Sequence, residues 1–345
     1  MSRLKSNFCL FFVSMLMFSS AHADHSYISD FSSSLDIADS QNGQVIGKAG
    51  YNIPSGTSPW KLNPWGNPSN LTPQTFPVNT SWSLNNAYSR VKYYPQLNGV
   101  SNVYELAASN IPCTSGSPGN PLEVDMFLTP NITLDSATLG SMGELNLGVD
   151  MGVTYSDLQH GCSNNFTIYT ASLILSTANV TPAQVLYVQI ELGGTNPAPS
   201  SPVWCPSYEN ISSPDVRNQF CVNYSVTAAG GQFISTYGSQ SYNLDILPSL
   251  ISLLQSNHAK PAPNSDVVLN NNPNNWVVGG VYIGTINYGT TNTASIWSRP
   301  KLDNNGGAFC SGATKTQFVC NNVPAGQGWS NVGGSCYHRP SNVSC

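Results

Sequence analysis

"LNLGVDMGVTY", residues 145–155, decides the fold class. Leu145, Leu147, Val149, Met151, Val153 and Tyr155 fall on one side of an extended chain. Asn146, Gly148, Asp150, Gly152 and Thr154 fall on the other. Alternation of period 2 makes a half-buried strand, because successive side chains of a strand point to opposite faces. The second face is small and polar, as the floor of a groove would be. "VLYVQIEL" (185–192) alternates in the same way: Leu186, Val188, Ile190 and Leu192 oppose Tyr187, Gln189 and Glu191. In "VVGGVYIGTINYG" (277–289), Val281 and Ile283 oppose Tyr282, Gly284, Ile286 and Tyr288.

Between about 60 and 300 the chain reads as short strands broken by Gly, Pro and Asn, which predicts an all-β sandwich or barrel. One helix interrupts the pattern. In "LDILPSLISLLQSN" (244–257), Leu247, Leu250, Ile251 and Leu254 recur at helical spacing. Asp245 is the expected N-cap, and Pro248 falls in the first turn, where its missing N–H costs little. A lone helix in a long β chain is expected on the outer face of the sandwich. Residues 24–59, Ser- and Gly-rich, are expected as a loosely ordered lead-in or edge strands. Residues 301–345 hold Cys310, Cys320, Cys336 and Cys345 but little apolar periodicity. They are expected as a small disulfide-rich C-terminal extension.

The first 23 residues read as a secretory signal: Arg3 and Lys5, the apolar run "FCLFFVSMLMF", then small residues ending "AHA". Cleavage after Ala23 would remove two basic residues and no acid, taking the net charge from -5 to -7. No later run of ~18 apolar residues is present to span a membrane. With 8% charged residues and no basic stripe, the composition excludes a nucleic-acid binder. A surface of Asn, Ser, Thr, Gly and Tyr suits neutral polar ligands such as sugars, although many secreted β proteins share it. Beyond the signal, Cys113, Cys162, Cys205 and Cys221 join the four tail cysteines. An even number in an exported chain points to disulfides. A short polar loop favours Cys205 with Cys221; Cys113 is expected to pair with Cys162, and the tail cysteines among themselves. No Cys-x-x-Cys pair occurs and the histidines are scattered, so neither a metal nor another cofactor is expected.

Taken in order, these pieces resemble glycoside hydrolase family 12, the compact endoglucanases and xyloglucanases. "NPWG" (63–66) is similar to its Asn-x-Trp-Gly strand, and "SRVKYYPQL" (89–97), with Trp82 before it, to its Val-Lys-x-Tyr-Pro segment. "GVDMGV" (148–153) is similar to its Tyr-Asp-Ile-Trp-Phe strand, with Asp150 on the Asp. "YVQIELGGTNPAP" (187–199) is similar to its nucleophile strand, and the helix precedes "VYIGTINYG" as the family's helix precedes Gly-Thr-Glu. The likeness covers roughly residues 60–290. It implies a concanavalin-like β-jelly roll with one helix, spanning about 60–300, and a β-linked polysaccharide as partner.

The family's two glutamates do not carry over. The ungapped pattern sets Tyr187 at the nucleophile and Ile286 at the acid/base, and no Glu follows Glu209. A glycosidase needs two carboxyls, about 5–5.5 Å apart to retain configuration or about 6.5–9.5 Å to invert it. Glu191 with Asp150 is the remaining candidate pair; each also fits a plain hydrogen-bonding role. A shortened nucleophile strand would instead align Glu191 itself with the family's Glu. Sugars stack on aromatic rings while polar groups fix their orientation. Trp65, Tyr187, Gln189, Tyr282 and Tyr288 are therefore the candidate binding residues, whereas Trp82 and Trp276 are expected in the core. The leading expectation is a secreted polysaccharide-binding protein with hydrolysis lost or altered. A secreted adhesin, and an active glycosidase using Glu191 with Asp150, stand as alternatives.

Overall fold

The computed structural model describes residues 25–109, 123–158, 165–199, 202–204, 218–235, 237–256, 268–289, 291–305, 314–319, 329–332 and 335–338. In chain order the first strands are β1 (His25–Ser26), β2 (Ser34–Ala38), β3 (Val45–Gly50), β4 (Trp60–Asn63), β5 (Trp82–Asn85), β6 (Ser89–Leu97) and β7 (Val100–Ala108). Then come β8 (Glu123–Pro130), β9 (Glu144–Leu158), β10 (Phe166–Thr177), β11 (Val185–Gly194), β12 (Val203–Trp204), β13 (Gln219–Ser225) and β14 (Gly238–Asp245). Helix α1 (Leu247–Gln255) precedes β15 (Trp276–Tyr288) and β16 (Thr291–Asn305). The strands β17 (Thr314–Val319), β18 (Trp329–Val332) and β19 (Ser335–His338) close the series.

The fold is a two-sheet β-sandwich of the jelly-roll kind with one helix, as the alternation predicts. One sheet runs β12-β13-β11-β10-β15-β8-β4-β2-β3; the other runs β14-β9-β16-β7-β6-β5, with β1 on β16. The inward residues of β9, β10, β11 and β15 merge into one core. Leu145, Leu147, Val149 and Met151 face that core with Leu186, Val188, Ile190, Leu173, Val281 and Ile283, all nearly inaccessible to solvent. Trp60, Trp276 and Trp297 fill it, and Trp82 joins them.

Asn287 ties four strands together from inside the core. It is fully buried. Its amide nitrogen donates to the Val124 carbonyl on β8 at 3.0 Å and to Thr285 Oγ1 at 3.2 Å. Its carbonyl oxygen accepts from Thr167 Oγ1 on β10 at 3.1 Å and from Thr293 Oγ1 on β16 at 2.9 Å. Both donors and both lone pairs of the amide are thus used.

Three expectations are corrected. The lead-in is not loosely ordered: β3 is an edge strand, as one of the two readings has it, but β2 lies inside the sheet between β4 and β3 and is buried along its whole length. Its Asp36 would break any apolar run. Asp36 is paired with Lys48 and accepts from the Ser58 N–H. The proposed boundary at 300/301 falls inside β16, where Leu302 pairs with Leu147 and Asn304 with Leu145. The sandwich therefore runs to Asn305. Beyond it, β17-β19-β18 form a separate three-stranded sheet. Finally, the helix does not lie on the outer face. Leu247, Leu250, Leu253 and Leu254 belong to the main core cluster. The N-cap is Ile246, and Asp245, one residue earlier, accepts the Leu247 N–H at 3.1 Å.

No helix of the described residues is long and apolar enough to cross a membrane. The signal segment, Cys113, Cys162, Cys205, Cys310, Cys320 and Cys345 lie outside the described residues, as does the Cys336 side chain. Cys221 is buried on β13 and is disulfide-bonded.

Replacing Asn287 by Ala strands three buried hydroxyls and a buried carbonyl. Denaturant unfolding is expected to show a loss of about 3 kcal/mol, in line with ~1–3 kcal/mol for each group left unpaired. A loss under about 1 kcal/mol would mean that water replaces the amide without penalty.

Candidate functional site

The outer face of the nine-stranded sheet carries the candidate residues, and strand register arranges them in rows. Glu191 stands opposite Thr170, Thr170 opposite Gly284, Gly284 opposite Phe127 and Phe127 opposite Asn63. One row along, Gly194, Ile168, Ile286 and Asp125 follow in the same order. The Asp125 N–H bonds to the Trp65 carbonyl at 2.8 Å, which extends that row to Trp65. A third row sets Phe166, Tyr288 and Glu123 side by side. In the other direction Ser172 neighbours Tyr282, and Ile174 neighbours Tyr187.

A β-bulge positions Glu191. Tyr169 pairs with Gly193 and Thr170 with Glu191, so Leu192 is the extra residue of β11. Bulges of this kind re-aim the neighbouring side chain. The released Leu192 carbonyl accepts from the Ile234 N–H at 3.0 Å and the Tyr242 hydroxyl at 2.9 Å. Gly193 is required there, since a Cβ would sit 2.4 Å from the Ile234 carbonyl oxygen. At the far end of the face, Gly66 (φ +70) lets the chain after Trp65 press on β8; a Cβ would meet the Glu123 carbonyl oxygen at 2.4 Å.

Aromatic side chains flank this polar floor. Tyr282 packs edge-on against Phe127 with centroids 4.8 Å apart, and Phe166 stacks on Tyr288 at 4.4 Å. Tyr282 is nearly buried, Tyr187, Gln189 and Tyr288 are half-buried, and Trp65 is 49% exposed.

Three carboxyls lie on the face. Glu191 is 8% exposed, and burial pushes its pKa up from the usual 4.5 to about 7. Asp125 and Glu123 form a tight pair. Burial, then the negative Glu123 beside it, raises Asp125 well above the carboxylate range. Burial also raises Glu123, while hydrogen bonds from Tyr288 and Asp125 hold it lower. The sequence signal for this pair was available: in "EVDMFL" (123–128), Glu123, Asp125 and Phe127 alternate with Val124, Met126 and Leu128.

The register separates the expected catalytic places. Tyr187 lies in the row of Gly280, six residues along β15 from Ile286; Glu191 lies in the row of Gly284, two residues away. At ~3.4 Å per residue and ~4.8 Å per strand, Tyr187 and Ile286 are about 22 Å apart at Cα, Glu191 and Ile286 about 12 Å. Carboxyls at 187 and 286 could not cooperate; at 191 and 286 they could.

Glu191 and Asp150 are not brought together. Asp150 is on β9 in the other sheet, facing outward, where Arg299 pairs with it and Ser298 Oγ donates to it at 3.3 Å. The packed core, ~10 Å between sheets, stands between them. Among the described residues no three His, Cys, Asp or Glu side chains gather as metal ligands would.

No protein-family model matches the chain, and no curated protein matches it by sequence. Similar solved structures include the family 11 xylanase from Neocallimastix patriciarum, with 7% identity over 65% of this chain and 90% of that one, at a TM-score of 0.35. Endoglucanase 3 of Trichoderma harzianum, from family GH12, has 9% identity over 73% of this chain and 100% of its own, at 0.34. A family 11 carbohydrate-binding module of a Clostridium thermocellum cellulosomal cellulase has 9% identity over 73% and 91%, at 0.25. Identities and superpositions this low bear on neither the activity nor the site.

Because its folded pKa is raised, Glu191 destabilises the fold as it ionises. The folded chain holds more protons than the unfolded chain between about pH 4.5 and about pH 7, so this contribution falls as pH rises through that window and is flat above it. Glu191→Gln should therefore gain stability over wild type across that window, by up to about 3 kcal/mol at its top. Parallel unfolding curves at stepped pH measure it; a pH-independent difference would place Glu191 in contact with water.

Proposed function

We propose that the protein binds an extended neutral β-linked polysaccharide on the outer face of the nine-stranded sheet, without cleaving it at a glycosidase's rate. One observation carries the reading. The sheet sets the half-buried Tyr187 and Gln189 on a single face with Tyr282 and Asn63, in the rows of the fully buried Thr170 and Ser172, whose hydroxyls bond to each other, and the half-exposed Trp65 follows just after β4. Rings supply stacking surfaces for sugar C–H faces, and the neutral polar groups exchange hydrogen bonds with hydroxyls. Low charge disfavours an ionic ligand. The N-terminal pattern supports export to an oxidising compartment, where Cys205 pairs with Cys221 and Cys113 with Cys162.

A second reading, residual hydrolysis through Glu191, draws on its position beside the bulge and its pKa near 7, which suits a general acid or base. Ile286 is what it lacks across the face, since an alkyl side chain neither gives nor takes a proton.

A glycan array run beside a reducing-sugar assay on soluble β-glucan and xylan tests both. Binding without sugar release is expected, and Tyr187→Ala and Trp65→Ala should each weaken it by about 1 kcal/mol or more while leaving the melting temperature unchanged. Failure of every array glycan to bind would sink the first reading. Ile286→Glu should add slow hydrolysis that Glu191→Gln abolishes; general acid assistance contributes about 10²–10⁴-fold. Rapid cleavage by the wild type would establish the second reading instead.

A further inference from the structure

Asp125 is 4% exposed, lies on the outer face of the sheet, and has one oxygen, Oδ1, with no hydrogen-bond partner. Its neighbour Glu123 is two residues away on the same side of β8. Two carboxyls so close and so desolvated cannot both ionise, so they share one proton. The two carboxyls hydrogen-bond to each other through it, and Glu123 also accepts from the Tyr288 hydroxyl. A carboxyl that has given its hydrogen away still has an acceptor oxygen. Here that oxygen is closed off from water and unsatisfied, a standing cost to the fold. Trp65 follows Asp125 in the same row, with half of its surface exposed.

We propose that Asp125, with Glu123, Tyr288 and Trp65, forms a second sugar subsite, in which Asp125 Oδ1 accepts a hydroxyl of a neutral glycan unit stacked on Trp65. The proposal rests on the glycan-binding reading and gives it a direction. Three strand spacings, about 14 Å, separate the strand of Asp125 from that of Glu191, which stands one row over, so the glycan crosses the strands rather than following them. Among the described residues, the titratable groups facing Asp125 are Glu123 on its own strand and Tyr288 on β15. Neighbouring β15 and β10 otherwise bring Ile286 and Ile168; β4 brings Asn63, and its Lys61 stands opposite Thr129, four residues along β8 from Asp125.

The test compares two variants of the full chain by calorimetry against soluble β-1,4-glucan and β-1,4-xylan oligosaccharides. Asp125→Asn keeps an N–H donor for Glu123 and an acceptor oxygen for the ligand; Asp125→Val keeps neither. Asn should bind within about twofold of wild type, and Val should lose about tenfold or more, the size of a lost buried hydrogen bond. Raising the pH from about 5 to about 9 should weaken wild-type binding, as the shared proton leaves, and spare the Asn variant. A folded Asp125→Val that binds as wild type overturns the subsite. So does a folded Asp125→Asn that loses as much as Val, or that follows the same pH dependence as wild type; these two hold even if Val does not fold. Wild type that binds neither oligosaccharide fails the glycan-binding reading itself, a result distinct from all of these.

Discussion

The buried amide of Asn287 holds the register on which the whole candidate face depends. It reaches β8, β10 and β16 from β15 and leaves none of its hydrogen-bonding capacity unused. Along a strand, a slip of one residue turns every outward side chain inward. Apolar alternation alone resists such a slip only through the loss of burial. A buried amide adds a penalty that no neighbouring register avoids, because its partners are fixed at single positions on other strands. With β10 and β15 locked, Thr170, Gly284 and Ile286 can stand only where they do, and Glu191 and Asp125 take their places from them.

The face so fixed is unusual in its charge economy. Asp36 and Asp150, elsewhere in the fold, are held by Lys48 and Arg299. On the candidate face, Glu191, Glu123 and Asp125 have no cation paired with them among the described residues. Burial raises all three. Raised carboxyls lower folding stability at neutral pH, since the unfolded chain ionises them freely. A sheet that only needed a polar surface could use Thr and Ser throughout, as β10 does with Thr170 and Ser172. Desolvated acids gathered on one face are a cost in stability that the proposed glycan-binding role would account for.

The parts of the fold visible in the sequence were those with period 2. β9, β11 and β15 alternate because one face of each meets the core and the other does not. β2 is not legible as an inner strand because both of its faces are covered, so "SLDIA" alternates in nothing, and its buried Asp36 reads as a loop residue until Lys48 and Ser58 are seen around it. The end of β16 was missed for a different reason. The register shifts between Ser298 and Lys301, with Arg299 at positive φ and Pro300 between them. A bulge carries residues that elsewhere would mark a turn. The helix was recognised by its leucine spacing, but spacing gives a face, not the surface that the face meets.

The same limit governs the site. Alternation assigns each residue to one side of its strand, and it did so correctly for Asp150 and Glu191, each of which faces away from the core. It does not assign the strand to a sheet. A sandwich has two outer faces, and two outward carboxylates are as easily back to back as side by side. Only pairing resolves this: β9 joins β14 and β16, β11 joins β10 and β13. Pairing depends on residues distant in sequence, such as Thr167 with Asn287, 120 positions apart. Asp125 came to the site by that route. It is 66 residues from Glu191 in sequence, yet β10 and β15, the two strands that Asn287 locks together, carry it to the same face.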